Sequence, residues 1–386
     1  MRIGYVSADR GIPVYGAKGA SIHIQAMIRA FEALGHEVVC LTARAGGEGP
    51  LSIEEIHQTH PGSDRAAKER AAMAQARAIE ERLVELHGET PFDMIYERYS
   101  LWSAAGLRAA RRLGIPVVIE VNAPLIDEQR AFRELACEVE ALKIETEVLQ
   151  GATLLAAVSD QVSAWLKRRG APPDAIKVIG NAVDTSMFHP DIVASAPVPE
   201  GAFCVGFTGS LKNWHGVDTL LRACRTLRRD VPEAHLLIAG DGPKKGWVEG
   251  FVAGADLQGA VTLTGWVDHH ALPPLIARMD VATAPYPATE DHYFSPLKLY
   301  EYLAMGRPVV ASDIGQTSGL LTGSDAACLL PPGDADALAD CLRQLARDPA
   351  RRAHMAAASA AEGGRHDWKD NARAVLRHIA NQRAAA

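Results

Sequence analysis

The sequence of 386 residues has little of what marks several protein classes. Its six cysteines are scattered and none stands in a C-x-x-C pair, so the sequence indicates neither a disulfide framework nor a zinc site. No uninterrupted apolar run approaches the roughly 20 residues that a membrane-spanning helix needs. The 47 acidic residues outnumber the 40 lysines and arginines, and the formal net charge of -7 argues against general nucleic-acid binding.

The beginning of the chain, MRIGYVSADRG, lacks the apolar core of a signal peptide and is typical of a first strand. Hydrophobic residues make up 48% and charged residues 23%, as in a soluble globular protein. Reduced, mostly buried thiols are the best interpretation of the cysteines, which are Cys40, Cys137, Cys204, Cys224, Cys328 and Cys341. We therefore expect a cytoplasmic protein.

Strand and helix patterns alternate along the whole chain, which is typical of βαβ units and a parallel sheet. The chain is too long for one ordinary core, so we expect two domains. Residues 188–202 are Pro-rich and lack periodicity, and we predict a linker there. The predicted fold class is α/β, with two Rossmann-like, doubly wound parallel-sheet domains, residues 1–190 and 200–367, that face a central cleft.

Three local predictions complete this outline. Residues 46–61 look like a polar loop, because they combine glycine, proline and charge without periodicity. Residues 127–149 read as one long charged helix, and the end of the chain reads as a further amphipathic helix.

The stretch Tyr293–Gly315, YFSPLKLYEYLAMGRPVVASDIG, combines a helix start, a helix stop and a buried strand. Ser295 suits the N-cap and Pro296 suits the first helical position. A helix that begins this way has free N–H groups at Leu297 and Lys298, together with the positive end of its dipole. The pattern therefore predicts an anion site.

Glu301 lies one turn further along, on the helix face shared with Lys298. An acid at this position is poorly placed to hold phosphate, but it is well placed to accept hydrogen bonds from sugar hydroxyls. The alternative is a plain crossover helix with a solvated glutamate and lysine, because cap signals are common.

Glycine-rich loops follow the first predicted strand of each half. In the first half, Gly16 to Gly19 would let backbone approach a ligand, although G-x-G-x-x-G is absent and a flexible connection is the alternative. We interpret His23, in the next helix, as a packed or capping histidine. In the second half, Lys212 is the most informative residue, since a cation before a helix is unfavourable without an anionic ligand, although it could be a solvated loop lysine.

Two further turns follow strands of the second half. Gly240 opens a tight turn, GDGP, and Gly265 and Val267 lie where the strand VTLTGWV reaches the sheet edge, beside which a nucleobase could lie. Asp334 and Asp336 resemble a D-x-D metal motif, but they follow Pro-Pro-Gly and open a helix, so capping is the better interpretation.

Polar residues also end two predicted strands of the first half. Arg98 follows one strand, while Glu120 and Asn122 end the next. Because the carboxyl ends of parallel strands meet at one sheet edge, these side chains suit acceptor binding or catalysis, and structural ion pairing is the alternative.

Several spaced stretches together resemble the retaining glycosyltransferases of family 4, which have the GT-B fold. In chain order they are KGASIH with GHEV, IGNAVDTSMFHP, GSLKNWHGVDTLL, IAGDGP and FSPLKLYEYLAMGRPVVAS. The resemblance covers nearly the whole chain. It implies a hexosyltransferase-type enzyme that moves a sugar from a nucleotide-sugar donor to an acceptor hydroxyl with retention, in cell-surface glycan or glycoconjugate biosynthesis.

The resemblance also implies roles for the two domains. The C-terminal domain would hold the sugar nucleotide, and helix 368–386 would pack back on the N-terminal, acceptor-binding domain. Glu301 would bind the donor ribose, backbone from Ser295 to Lys298 would hold the diphosphate, and the loop from Gly16 to Gly19 would cover it. Metal is usually unnecessary in this family, so no cofactor is expected.

The sequence departs from the family pattern at several positions. Of the two acids in the E-x7-E pattern only Glu301 is present, because Tyr293 occupies the first position. A histidine often found near the end of an N-domain strand is replaced by Asn122. The usual Arg and Lys of the phosphate site fall on Ser210 and His215, for which Lys212 and Lys298 would compensate.

These considerations give the predicted site. The catalytic residues are Lys212, Lys298, Glu301 and Asn122. The donor-binding residues are Gly16, Gly19, Ser210, His215, Gly240, Gly265, Val267, Ser295, Pro296 and Leu297. The acceptor-binding residues are Arg98 and Glu120, and no metal ligand is predicted.

Two other functions fit the sequence. One is a sugar-nucleotide epimerase of the same fold, and the other is a non-catalytic nucleotide-sugar-binding subunit, which the missing first acid makes conceivable. The expected acceptor is a glycan, a lipid-linked sugar or a small molecule. Solvated helix faces are the main interpretation of two basic patches in the first half, and weak peripheral contact with the inner membrane face is the alternative; they contain Arg108, Arg111, Arg112, Lys167, Arg168 and Arg169.

Overall fold

The computed structural model describes residues 1–57, 62–255, 257–289 and 292–385, with side chains described as far as residue 382. The chain divides into two compact units. Unit 1 comprises Met1–Asn181 and Trp368–Ala386, and unit 2 comprises Ala182–Asp367.

Unit 1 is built on a parallel sheet. Within its described residues the strands are β1 (Arg2–Ser7), β2 (Glu37–Thr42), β3 (Ile53–Glu55), β4 (Met94–Arg98), β5 (Val117–Val121), β6 (Leu154–Ala157) and β7 (Ile176–Val178). They are ordered β3-β2-β1-β4-β5-β6-β7, and each neighbouring pair is parallel. The register places Arg98 beside Glu120, so both side chains belong to the carboxyl edge of the sheet.

Helices connect these strands and cover the sheet. They are α1 (Gly19–Ala33), α2 (Arg65–Glu89), α3 (Ala105–Leu113), α4 (Leu125–Phe132), α5 (Glu138–Gly151) and α6 (Asp160–Arg168). Local chemistry sets several of their ends. The Asp64 carboxylate accepts a hydrogen bond from the Ala67 N–H at the start of α2, and the Ser159 hydroxyl does the same for Val162 at the start of α6.

Two local predictions for unit 1 are wrong. The predicted loop at 46–61 contains β3, which pairs with β2 and is too short to show a periodic pattern; residues 58–61 lie outside the described part. The predicted helix over 127–149 is divided into α4 and α5. The chain is extended at Arg133, and the buried Glu69 carboxylate accepts a hydrogen bond of 2.7 Å from the Cys137 N–H, so a tertiary contact ends the helical pattern.

Unit 2 repeats this architecture. In the part that the structure describes, its strands are β8 (Phe203–Thr208), β9 (Ala234–Ala239), β10 (Val261–Leu263), β11 (Val281–Ala284), β12 (Val309–Ser312) and β13 (Ala327–Leu330). They form a parallel sheet in the order β10-β9-β8-β11-β12-β13. Its helices are α7 (Val217–Leu227), α8 (Lys245–Gly254), α9 (Leu272–Ala277), α10 (Leu297–Ala304), α11 (Gly315–Leu321), α12 (Ala335–Arg347) and α13 (Pro349–Gly363).

The division between the units differs from the predicted one. It falls between Asn181 and Ala182, before the predicted domain end at 190 and before the predicted linker at 188–202. Phe188 is 1% exposed and belongs to the core of unit 2. A Pro-rich sequence without periodicity therefore does not mark a free linker here, because its aromatic side chain is part of a core.

The last helix, α14 (Trp368–Ala385), belongs to unit 1 and packs against α1. Its apolar side is buried at Trp368, Ala372, Val375 and Ile379. Among the described helices of both units, none combines the length and apolar character needed to cross a bilayer.

Candidate active site

The helix α10 begins one residue later than predicted. Pro296, with φ -76° and ψ 118°, takes the N-cap position, and its carbonyl accepts a hydrogen bond from the Leu299 N–H at 3.2 Å. Ser295 is therefore not the cap, and its hydroxyl lies 3.0 Å from the Tyr300 hydroxyl. Proline fits the N-cap because its φ suits extended backbone and it has no N–H to satisfy. The amides of Leu297 and Lys298 open the helix as the anion-site prediction requires.

The ammonium group of Lys298 is buried, and the described part of the chain offers it no hydrogen-bond acceptor. Lys298 is 8% exposed, and its Nζ has no hydrogen-bond partner among the described residues. Nζ lies 3.9 Å from the centroid of the Phe207 ring, and a Cβ added to Gly209 would lie 2.9 Å from it. Burial lowers the pKa of Lys298 to about 7, against the raising effect of the Glu301 charge. A buried cation without an acceptor is stabilised by an anionic ligand, so Lys298 is a strong candidate for anion binding in the described part of unit 2.

The loop 209–216 lies directly over this lysine. His215 Nδ1 is hydrogen-bonded to the Ser210 carbonyl oxygen, which fixes the imidazole ring. Burial, with the nearby Lys298 charge, lowers the pKa of His215 to about 3, so the ring is neutral at physiological pH. His215 is therefore a neutral group and does not replace the charge of the family's usual cation.

Lys212 belongs to the same loop. It is half-buried, and its Nζ lies 4.8 Å from the centroid of the Trp214 ring, which is 48% exposed. The loop ends at Gly216, with φ 67°, where a Cβ would overlap the Pro285 carbonyl oxygen. Glycine is required there, and the tight approach holds the loop against the sheet edge.

The predicted turns after β9 and β10 meet at this loop. Gly240 and Gly265 form an isolated antiparallel bridge, and a Cβ on Gly240 would overlap the Gly209 carbonyl oxygen. Val267 is half-buried, and Trp266 beside it is 61% exposed. Backbone from β8, β9 and β10 thus converges, and the loop with the predicted nucleobase contact lies beside the loop with the predicted phosphate contact.

Glu301 has a partner that the sequence did not indicate. Its Oε1 lies 2.8 Å from His269 Nε2, and the carboxylate is buried, with the residue 5% exposed. His269 lies in a short turn of 3-10 helix, 32 residues before Glu301 in the chain. No local pattern connects the two, so only the fold could reveal this pair.

His292 was also missed. The residue is 4% exposed, and neither ring nitrogen has a hydrogen-bond partner within the described residues. Its ring packs 4.1 Å from that of Phe294 and 4.8 Å from that of Tyr286, measured between centroids. Burial lowers its pKa to about 4, so His292 is neutral at physiological pH and adds no charge to the site.

In unit 1, the predicted acceptor residues come together around one carboxylate. Glu120 Oε1 accepts hydrogen bonds from Arg98 Nη1 at 2.6 Å and from Asn122 Nδ2 at 2.5 Å. Its Oε2 accepts one from the Tyr96 hydroxyl at 2.6 Å and lies 2.8 Å from His23 Nε2. Burial alone would raise the pKa of Glu120, but His23, Arg98 and Tyr96 together lower it well below the usual range.

The interpretation of His23 as a packed histidine is confirmed. His23 is 6% exposed, its Nδ1 lies 2.7 Å from Asn181 Oδ1, and the Trp368 ring meets it edge-on at 4.7 Å. With both nitrogens engaged, His23 has no free lone pair for a substrate, and it positions Glu120 instead.

Of the two glycines of the first loop, Gly16 is closely packed and Gly19 is exposed. A Cβ on Gly16 would lie 2.9 Å from the Pro13 ring, beside the Ser21 hydroxyl that donates to the Pro13 carbonyl at 2.6 Å. Gly19 is the first residue of α1. The predicted role of these glycines in covering a diphosphate stays a prediction.

The remaining motifs have structural roles. Asp334 caps α12 by accepting a hydrogen bond of 2.9 Å from the Ala337 N–H, so the capping interpretation is confirmed. The described residues contain no group of three or more His, Cys, Asp or Glu side chains arranged to hold a metal.

The basic patches are largely paired with acids: Arg108 and Arg111 with Glu147, Arg112 with Glu80 and Glu81, and Arg169 with Glu145. Paired helix faces of this kind give no support to a membrane contact.

Two family models match consecutive parts of the chain. The model described as Glycosyltransferase Family 4 matches residues 17–187, and the model described as Glycosyl transferases group 1 matches residues 202–348. Among curated proteins, D-inositol 3-phosphate glycosyltransferase of Arthrobacter sp. (strain FB24) is 26% identical over 385 residues, covering 93% of this chain and 89% of that protein.

Solved structures show the same fold. Sucrose-phosphate synthase from Thermosynechococcus elongatus superposes with a TM-score of 0.75 at 20% identity, over 100% of both chains. The Anabaena protein Alr3699/HepE, in complex with UDP and glucose, gives a TM-score of 0.73 at 17% identity, over 98% of this chain and 99% of that one. The family matches, the two parallel sheets and these structural neighbours agree, and the chain belongs to the group 1, family 4 glycosyltransferases with the GT-B fold.

Proposed function

We propose that the protein transfers a hexosyl residue from a nucleotide-sugar donor to an acceptor hydroxyl, with retention of the anomeric configuration. One observation carries the proposal: the buried Lys298 ammonium has no acceptor among the described residues and lies beneath the Gly209 loop, at the start of α10. A nucleotide diphosphate is an anion of the kind that such a helix start and cation attract.

Charge relief on the leaving diphosphate is the main chemical task. Negative charge develops on the bridging oxygen as the bond to the sugar breaks, and fixed positive groups stabilise it. We assign this role to Lys298 and to the first amides of α10, with Lys212 adding charge from the loop 209–216. We expect no metal requirement, because these groups supply the same electrostatic stabilisation.

Glu301 orients the donor in this proposal. Its Oε1 is hydrogen-bonded to His269, and we assign the other carboxylate oxygen to the ribose hydroxyls. The relative position of ribose and diphosphate then follows from the helix itself, since Glu301 lies about one turn along α10 from Lys298.

The acceptor residues of unit 1 take revised roles. Glu120 is saturated by its own partners, so we assign it to positioning. Arg98 and Asn122, which Glu120 holds, are the groups we assign to acceptor hydroxyls. We propose a cell-surface glycan or glycoconjugate as the product, and a small polyol phosphate is the second acceptor class, because the Arthrobacter relative is named for D-inositol 3-phosphate.

The test begins with the donor. Thermal shift of the full-length protein against UDP-, GDP-, ADP- and dTDP-sugars selects the nucleotide, and the selected donor is then incubated with glycan, lipid-linked and polyol phosphate acceptors, with and without EDTA. NMR of the first product formed reports its anomeric configuration. Acceptor-dependent product that keeps the donor's configuration supports the proposal, and an inverted product contradicts retention.

The same experiment separates the two other functions. An epimerase would isomerise the sugar of the donor without any acceptor, whereas a binding subunit would show the thermal shift and no turnover. Neither has a specific observation in its favour: His215 and His292 have lowered pKa values and are poor acids at neutral pH.

A further inference from the structure

Two cysteines and an arginine form a cluster in unit 2 among residues that the donor site does not use. Cys328 belongs to the edge strand β13, Cys341 to α12 and Arg351 to the first turn of α13. Arg351 Nη2 donates a hydrogen bond to Cys328 Sγ at 3.3 Å. Cys341 belongs to the hydrophobic cluster against which Cys328 packs, so the two thiols are neighbours. Cys328 is thus held between a second thiol and a fixed cation.

The arginine is oriented by a second contact. Its Nη1 donates to Gln344 Oε1 at 3.3 Å, and its backbone N–H is capped by the Asp348 carboxylate at 2.8 Å. The contact with Gln344 orients the exposed guanidinium, while the Asp348 bond fixes the backbone from which it extends. A cation held next to a thiol stabilises the thiolate, which is the nucleophilic form.

Access distinguishes Cys328 from the other cysteines, including its neighbour Cys341, which is 8% exposed. Cys328 is half-buried, whereas Cys40, Cys137, Cys204 and Cys224 are at most 7% exposed. Burial raises the pKa of Cys40, Cys204 and Cys224 to about 12. At Cys328 the opposite holds, because the hydrogen bond from Cys341 and the Arg351 charge outweigh burial and lower its pKa below the usual value. Cys40, Cys204 and Cys224 can therefore serve as internal controls when the reactivity of Cys328 is measured.

We propose that Cys328 and Cys341 form an oxidisable dithiol, in which a hydroperoxide oxidises Cys328 and Cys341 resolves the product into an intramolecular disulfide. The Cys328 thiolate attacks the terminal peroxide oxygen and the O–O bond breaks, which gives a sulfenic acid; hydroxide leaves from hydrogen peroxide and an alkoxide from an organic hydroperoxide. The Cys341 sulfur then attacks the sulfenic sulfur, the S–S bond forms, the S–O bond breaks and water leaves. Two thiols lose two electrons in total, and a dithiol reductant reverses the reaction.

The test uses the full-length protein and hydrogen peroxide. After a timed exposure, free thiols are alkylated in denaturant and the tryptic peptides are analysed by mass spectrometry. Cys328 and Cys341 lie on one tryptic peptide, because no Lys or Arg stands between Arg307 and Arg343. We expect this peptide to appear lighter by two hydrogens and without alkylation, and to carry two alkyl groups when the protein is reduced first, with Cys40, Cys204 and Cys224 recovered as alkylated thiols. Oxidation of Cys328 no faster than that of these three would overturn the proposal.

Variants assign the order of the two steps. In Cys341→Ser, dimedone should trap a sulfenic acid at Cys328, and in Cys328→Ser it should trap none at Cys341. Arg351→Gln should slow oxidation of Cys328 several-fold, whereas Arg347→Gln, an exposed arginine at the end of α12, should leave it unchanged. Trapping at Cys341 in Cys328→Ser, or equal rates in the two arginine variants, would contradict the assignment; the wild-type measurement stands even if a variant misfolds.

Discussion

Glu120 in unit 1 and Lys298 in unit 2 are both buried charges, and their surroundings are opposite. Four side chains donate to or lie against the Glu120 carboxylate, from Tyr96, Arg98, Asn122 and His23. Lys298 Nζ has aromatic rings around it and no acceptor within the described residues. The Glu120 carboxylate therefore has a full set of hydrogen-bond partners, whereas the Lys298 ammonium has no acceptor among the described residues. Lys298 lies at the start of α10, next to Gly209.

The different surroundings of Glu120 and Lys298 indicate a structural role for the first and a functional role for the second. A buried ion with complete partners holds elements together, and its removal leaves those partners uncompensated. A buried ion without partners destabilises the fold, and such strain is typical of sites that bind a ligand of opposite charge. We therefore expect Glu120 to matter first for stability and Lys298 first for donor chemistry.

The largest effect is expected at Glu120. Glu120→Ala should lower the free energy of unfolding by about 3–5 kcal/mol, because Arg98 and His23 would remain buried without their acceptor. Urea denaturation followed by circular dichroism measures this, with Glu134→Ala as the control at an exposed acid of the same unit. A loss below about 1 kcal/mol, the size found for surface pairs, would show that the network does not hold unit 1 together.

Lys298→Met should have the opposite profile. The loss of a fixed cation beside the leaving diphosphate should lower kcat/KM for the donor by about a hundredfold to a thousandfold. The midpoint of thermal unfolding should stay the same or rise, because methionine fills the volume without a buried charge. Lys177→Met, at an exposed lysine, is the matched control. Full activity in Lys298→Met would remove the residue from the mechanism.

The sequence could predict where Lys298 and Glu301 lie, because cap, dipole and helical spacing are local properties. It could not predict the protonation state of His215, since burial of the ring and the nearby Lys298 charge, and not the residue type, lower that pKa. The helix start was misplaced by one residue because Pro296 fits both the N-cap and the first helical position. His269 was missed because its partner Glu301 comes from another element.

In unit 1 the meeting of Arg98 and Glu120 followed from the rule that parallel strands align their carboxyl ends. The saturation of Glu120 did not follow, because His23 reaches it from α1 across the sheet edge. The break between α4 and α5 was equally hidden, since it depends on the contact between Glu69 and the Cys137 amide. Local pattern predicts elements, and tertiary hydrogen bonds decide their limits.

The pH dependence of donor binding tests the unpaired state of Lys298. Its pKa of about 7 means that the free protein loses the ammonium charge as pH rises above that value. Donor affinity should therefore be constant below about pH 6 and fall by up to about tenfold for each pH unit well above pH 7. Isothermal titration with the nucleotide sugar measures this, since its phosphate diester groups do not titrate in that range.

The matching stability prediction has a definite sign. Because the pKa of Lys298 is lower in the folded protein than in the unfolded chain, the unfolded chain binds the additional proton between about pH 7 and pH 10. Wild-type stability should rise relative to Lys298→Met as pH increases through this range. Parallel pH profiles for the two proteins, in binding or in stability, would show that Lys298 is not a buried, unpaired cation.

The smallest effect is expected at His269, which holds Glu301 through one hydrogen bond. His269→Ala should raise KM for the donor by about tenfold, the equivalent of about 1.5 kcal/mol for a hydrogen bond to a charged group, with little change in kcat. His270→Ala is the matched control, because the neighbouring ring is exposed and makes no contact with Glu301 among the described residues. If kcat falls as much as kcat/KM, His269 acts in the transition state; if neither changes, the ribose is held without it. A change confined to KM would show that Glu301 combines both kinds of surroundings. One carboxylate oxygen would be paired within the protein, as in Glu120, and the other would bind the ligand, as we expect of Lys298.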